Sequence, residues 1–192
     1  MTQPDDLIDA LEPVVQVFRD LGIQHFIGGS IASSFHGATR STMDVDLVCD
    51  MKESQVAPFL SRFTEGFYVS QTAVENAVRS KSCFNLIHLP TAFKVDVFVS
   101  RARPFDIDSM RRSTLEKIGT TKTLEVPIAT AEDSIVSKLE WYRFTEEPSE
   151  RQWNDVMRLV RLLGERLDIT YLRQAADAVG VRDLLDRLLS QG

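Results

Sequence analysis

The stretch that decides the fold runs from residue 25 to residue 50, HFIGGSIASSFHGATRSTMDVDLVCD. Residues 23–27 are apolar enough to form a short strand, Gly28 and Gly29 make a turn, and Ser30 to His36 read as a short helix stopped by Gly37. Residues 44–49, DVDLVC, alternate as a half-buried strand does. A strand, a glycine turn and a helix start allow backbone N–H groups to approach a ligand closely, and the helix N-terminus adds partial positive charge. That is a phosphate cradle, although glycine turns between strands and helices are common. Asp44 and Asp46 add weight, because alternate residues of a strand share a face. Two adjacent carboxylates repel each other, and divalent cations relieve the repulsion; Mg²⁺ prefers carboxylate and phosphate oxygens. The plain alternative for an isolated Asp-x-Asp is a solvated strand end.

A third acid lies further along, in Phe93-Lys-Val-Asp-Val-Phe-Val99. Val95, Val97 and Val99 face one way, and Lys94, Asp96 and Phe98 the other. An aspartate inside an apolar strand is rare unless it is paired or bound to metal. The competing explanation for Asp96 is an ion pair with a nearby arginine.

Working outward, apolar residues at helical spacing (Leu7, Leu11, Val14, Val15, Phe18) predict a helix over 5–20, ended by Gly22. Helices are predicted over 53–65 and 72–80. Strands are predicted over 83–89 and 93–99, joined by a turn at Pro90-Thr91. Residues 101–113 read as loop and helix start, and 114–118 and 123–128 as short strands. From Thr130 onward the pattern is helical, over 131–145, 150–163, 168–179 and 181–189. The expected architecture is α/β (α+β): a mixed sheet with flanking helices over residues 1–128, followed by a C-terminal helical region, 129–192.

The totals narrow the function classes. The chain has 192 residues, with 22 Lys+Arg against 28 Asp+Glu and a net charge of −6. This length buries enough surface to fold without disulfide or metal staples. The acidic balance argues against a nonspecific DNA coat, but not against an acceptor that is itself nucleic acid. No apolar run is long enough to span a membrane, and the acidic N-terminus does not resemble a signal peptide. Cys49 and Cys83 read as buried free thiols, which fits a cytoplasmic protein. His25, His36 and His88 lack the companions of a zinc site. No GxSxG nucleophile motif is present.

Ile27-Gly-Gly-Ser30, Asp44-Val-Asp46 and Asp96, in that order and with 13 residues between Ser30 and Asp44, resemble the nucleotidyltransferase superfamily that includes DNA polymerase beta and the antibiotic nucleotidyltransferases. Arg40-Ser-Thr-Met-Asp-Val-Asp46 further resembles the Arg-x-Thr-x-Asp-x-Asp stretch of AbiEii-like nucleotidyltransferases, several of which are toxins of toxin–antitoxin pairs. Lys138 in AEDSIVSKLEW and Asp155 in RQWNDVMRL look like a helical lysine and a later helical aspartate of that family.

The resemblance implies Mg²⁺-dependent transfer of a nucleoside monophosphate from an NTP to an acceptor hydroxyl. Asp44, Asp46 and Asp96 would be the catalytic carboxylates and would hold two Mg²⁺ ions, with Mn²⁺ a possible substitute. Gly28, Gly29, Ser30, Arg40, Thr42 and Lys138 would bind the nucleotide. The acceptor could be an RNA end, a protein or a small molecule, and a cognate antitoxin could be a partner. The residues leave alternatives open. Lys138 could instead snorkel from the edge of an apolar face. Arg40 could form a plain loop salt bridge, and Asp155 could belong to a surface ladder with Arg151 and Arg158. Arg101, Arg103, Arg111 and Arg112 could meet an anionic acceptor or form a solvated loop. The competing functions are a binding or interaction module without turnover and a small-molecule enzyme of the aminoglycoside type.

Overall fold

The computed structural model describes residues 5–37, 44–144 and 150–191. Seven strands form one mixed sheet: β1 (His25–Ile27), β2 (Asp44–Cys49), β3 (Phe67–Val69), β4 (Cys83–His88), β5 (Phe93–Val99), β6 (Thr114–Ile118) and β7 (Leu124–Ile128). They lie in the order β3-β4-β5-β2-β1-β7-β6. β2 runs parallel to β5 and β1 parallel to β7, while the remaining neighbours are antiparallel.

The helices are α1 (Asp6–Asp20), α2 (Gly29–Phe35), α3 (Glu53–Leu60), α4 (Gln71–Ser80), α5 (Pro104–Arg112), α6 (Ala131–Phe144), α7 (Glu150–Leu163), α8 (Ile169–Ala178) and α9 (Arg182–Leu189). The architecture is the α/β arrangement expected, a mixed sheet with flanking helices followed by a helical region. Among the described residues, no helix is long and apolar enough to cross a membrane.

Local chemistry explains most boundaries. α1 buries Ile8, Leu11, Val14, Val15 and Phe18, and its chain turns at Gly22 with φ +64°. α4 starts where the Ser70 hydroxyl accepts from the Ala73 N–H at 3.3 Å, and α8 where Asp168 accepts from the Tyr171 N–H at 2.9 Å. α5 opens with Pro104, a residue whose missing N–H costs nothing at that position.

Three local expectations differ from the structure. The helix expected over 53–65 ends at Leu60, and the chain then turns so that Phe63 packs between Phe59 and Phe67. β3 was not expected, because three edge residues are too few to show alternation. Cys49 is buried as anticipated, but Cys83 is exposed on β4.

Two apolar clusters organise the interior. One gathers α1, α3 and α4 with β1, β2, β4, β5 and β7 around Phe18, Phe59, Leu47 and Val97. The other gathers Phe105 of α5 with the helices from α6 to α9 around Ile135, Leu139, Leu159 and Leu172. Val45, Leu47 and Cys49 of β2 and Val95, Val97 and Val99 of β5 point into the first cluster. The opposite faces of the same strands therefore carry Asp44, Asp46 and Val48, and Lys94, Asp96 and Phe98.

Candidate active site

The site is built on that second face. In the parallel ladder Asp44 is the register partner of Lys94, and Asp46 of Asp96. The backbone ladder thus places two carboxylates side by side on neighbouring strands and a third one step along. β4 extends the face on the far side of β5, with Asn85 opposite Asp96 and Cys83 opposite Phe98.

The glycine turn closes the other flank. The Gly28 N–H donates to the Asp46 carbonyl at 2.9 Å, tying the turn to β2. Gly29 has φ +55°, a conformation that side chains disfavour, and a β-carbon there would land on the Asp46 carboxylate. The Ser30 backbone N–H donates to that same carboxylate. The Ser33 hydroxyl donates to the Gly29 carbonyl at 2.9 Å and fixes the first turn of α2. In this arrangement Gly29 and Ser30 serve to seat Asp46.

Asp46 is consequently strained electrostatically. Burial, then the Asp44 charge and the Asp96 charge, push its carboxyl up to about 6, against the smaller opposing effects of the Ser30 N–H and the Lys138 charge. Asp96 pairs with Lys94 at 2.7 Å. Its partner is therefore a lysine two residues earlier on the same strand face, in place of the nearby arginine expected from the sequence. Lys94 is held above the usual lysine range by the hydrogen bond to Asp96.

Lys138, on α6, faces this cluster and also lies 3.5 Å from Asp155 of α7, with the two side chains 12% and 15% exposed. Asp155 is therefore largely enclosed between α6 and α7 rather than solvated, while the side chain of Arg151, its expected ladder partner, lies outside the described residues. Arg40 and Thr42 lie outside the described residues.

The four arginines after β5 all engage carboxylates. Arg103 hydrogen-bonds Asp106 and reaches Glu140 on α6 at 2.5 and 3.1 Å. Arg112 lies 3.6 Å from Glu132 and 3.5 Å from Asp133, with its guanidinium 3.7 Å above the Tyr171 ring. Arg111 pairs with Asp108, and Arg101 is 3.7 Å from Glu140. The Arg103 and Arg112 contacts fasten α6 to α5.

Asp133 itself escaped the sequence reading. It is buried at 1% exposure and accepts from the Thr130 hydroxyl at 2.7 Å and the Tyr171 hydroxyl at 2.5 Å. The signal was present: Thr130-x-x-Asp133 has capping-box spacing, and the Asp133 N–H donates back to Thr130 at 3.2 Å.

Among the described residues, no three histidine, cysteine, aspartate or glutamate side chains converge closely enough to hold one ion in this conformation. The donor chemistry nonetheless suits a divalent cation, since Asp44 and Asp46 share a face and Asp46 is pushed up by burial and then by its acidic neighbours. Asp96 would join them on leaving Lys94. A cavity of about 720 Å³ lies elsewhere, between the end of α1, Asp50, Ser100 and α5, and none of the three aspartates lines it.

No protein-family model matches the sequence, and no curated protein is similar to it in sequence. Solved structures do share its fold. An antigenic nucleotidyltransferase-like protein from Paracoccidioides brasiliensis superposes with TM-score 0.55 at 17% identity, over 99% of this chain and 94% of that one. ANT(2″)-Ia in complex with adenylyl-2″-tobramycin superposes with TM-score 0.57 at 11% identity, over 92% of this chain and 98% of that one. The solution structure of the same antibiotic-resistance factor gives 0.51 at 11% identity, over 99% and 100%. The chain therefore has a nucleotidyltransferase-like fold.

Proposed function

We propose that the protein is a nucleotidyltransferase that moves a nucleoside monophosphate from an NTP to an acceptor hydroxyl. The observation that carries this reading is the register pairing of Asp46 with Asp96, with Asp44 on the same face and a side-chain-free Gly29 beneath. Residues 1–128 would be the catalytic core, and 129–192 the helical region that closes the nucleotide cleft.

Asp44 and Asp46 would hold two Mg²⁺ ions, one of them shared with Asp96. When bound, these ions would offset the triphosphate charge and lower the pKa of the attacking hydroxyl. The Gly28–Ser30 turn would orient the β- and γ-phosphates, and Lys138 would supply a cation toward them from α6. Arg40 and Thr42 would complete the nucleotide contacts. Asp96 would accept the proton of the acceptor hydroxyl. The acceptor oxygen forms a bond to the α-phosphorus as the bond from that phosphorus to the bridging oxygen breaks, and pyrophosphate leaves with the electron pair. Positioning and charge compensation supply most of the rate.

The AbiEii-like resemblance supports a finer reading, a cytoplasmic toxin held in check by a cognate antitoxin. The general reading is tested with labelled NTPs and total RNA and protein in Mg²⁺ buffer, using wild type, Asp44→Ala and Asp96→Ala. Wild type is expected to label one acceptor class and both variants to lose labelling. Equal incorporation by all three would defeat the proposal, and NTP binding without any product would favour a binding module.

A further inference from the structure

The face that carries Asp96 continues into an aromatic ledge that the transfer chemistry has not used. Phe98 lies two residues beyond Asp96 on the same face of β5, about 7 Å along the strand. Trp141 lies one helical turn beyond Lys138 on α6, and its ring meets that of Phe98 edge-on at 5.9 Å. Trp141 is 50% exposed, a large apolar area to leave open beside a polar site. Asn85 and Cys83 of β4 border the ledge as the register partners of Asp96 and Phe98.

Its position in the sheet assigns a role. The Gly28–Ser30 turn flanks Asp46 from the β1 side, whereas the ledge flanks Asp96 from the β5–β4 side. With the triphosphate on the first side, the attacking hydroxyl enters from the second. Charge then selects the kind of acceptor. Glu140, next to Trp141, already takes two hydrogen bonds from Arg103, and Asp96 is paired with Lys94. Among the described residues, the carboxylates nearest the ledge, Glu140 and Asp96, are thus already engaged. Arg101 is 54% exposed and sits at 3.7 Å from the same Glu140, so it can turn to an anion at little cost. An exposed tryptophan backed by a half-buried phenylalanine, beside a movable arginine, is a combination suited to single-stranded nucleic acid.

Resting on the transfer reading above, we propose that Phe98 and Trp141 form the acceptor subsite and stack the terminal base of a single-stranded RNA 3′ end, with Arg101 on a backbone phosphate. The stacked base would deliver the ribose hydroxyl toward Asp96.

The test uses the full chain, a mixed-sequence RNA hexamer, and the same hexamer with an abasic 3′ nucleotide. The intact hexamer is expected to quench a component of the tryptophan emission that is missing in Trp141→Phe. Trp141→Ala should weaken hexamer binding about 10-fold, whereas Trp141→Phe should retain most of it. The abasic hexamer should bind wild type and Trp141→Ala equally, a pattern that a merely structural tryptophan would not produce. Arg101→Gln should reduce the salt dependence of binding by about one phosphate contact.

Equal binding of intact and abasic hexamers by wild type would overturn the subsite, as would unweakened binding by Trp141→Ala. Labelling of a protein or an aminoglycoside in place of RNA would overturn it as well. A failure of nucleotide transfer to every acceptor, with the base-dependent quench intact, would instead strike the transfer reading and leave the subsite standing.

Discussion

The Asp46 carboxylate rests on the α-carbon of Gly29, so that a β-carbon added there would fall on its Oδ2 and stand 2.5 Å from its Cγ. The turn and the acid fit only because one of them has no side chain. This contact explains in physical terms why a glycine turn and an Asp-x-Asp strand occur together, and it leads directly to the first prediction.

Gly29→Ala and Gly22→Ala should separate conformational strain from collision. Both glycines are left-handed, at φ +55° and +64°, but a β-carbon at Gly22 would meet nothing within 4 Å. Each substitution carries the backbone penalty of about 1–2 kcal/mol. Gly29→Ala should add about 1–3 kcal/mol of overpacking, which thermal melts without metal would read as an extra drop of several degrees. Equal melting temperatures would show that Asp46 is not seated on Gly29.

Asp46→Asn should stabilise the metal-free protein. Asparagine keeps an oxygen for the Ser30 N–H and removes the charge that Asp44 and Asp96 oppose. A folded-state carboxyl raised to about 6 gives stability that is fully present below the unfolded value near 3.8 and lost as pH rises through 6. Ionised Asp46 therefore costs up to about 3 kcal/mol at pH 7.5. Melts in EDTA should show the variant above wild type at pH 7.5, with the gap shrinking toward pH 4.5. A constant gap would contradict the charge argument.

Mg²⁺ should raise the melting temperature of wild type, and the increment should grow between pH 5 and pH 7 as Asp46 loses its proton. Asp46→Asn should respond weakly at every pH. A Mg²⁺ increment that is the same across this range would argue against Asp46 as a ligand.

Lys138→Met should lower stability by about 1–3 kcal/mol, because it removes a cation shared by Asp155 and Asp46. It should also push the Asp46 carboxyl further up. Combined with Asp46→Asn in a pH series of melts, it should enlarge the stabilising gap and move the pH at which that gap levels off to a higher value. A gap that levels off at the same pH would separate Lys138 from the carboxylate cluster.

The parts of the fold with strong periodicity were legible in the sequence. α1 shows its buried stripe in Leu11, Val14, Val15 and Phe18, and β5 shows its alternation in Val95, Val97 and Val99. Phe63 misled because its spacing from Phe59 suits a helix, yet the same contact forms across a turn after Leu60. Cys83 looked buried because Phe84 and Leu86 are, and a one-residue shift in a strand changes the face. At the site, the three aspartates could be read as sharing a face, but their partners could not. Lys94 stands two residues before Asp96 on the same face, yet a nearby arginine was the partner expected. The Lys138–Asp155 pair depends on how α6 and α7 pack, which no local pattern encodes. Asp133 needed its Thr130 cap to be recognised before its burial made sense.

The parallel pairing of β2 with β5 has a consequence for how this protein can fail. A slip of two residues along that ladder would leave every valine in the core and every polar residue outside, so burial alone would hardly oppose it. It would nevertheless carry Asp96 about 7 Å from Asp46 and separate the acids. A chain trapped in that frame would be compact, soluble and inert. The hydrogen bond from the Ser100 N–H to the Cys49 carbonyl at 2.8 Å extends the ladder past its last pair and helps fix the frame.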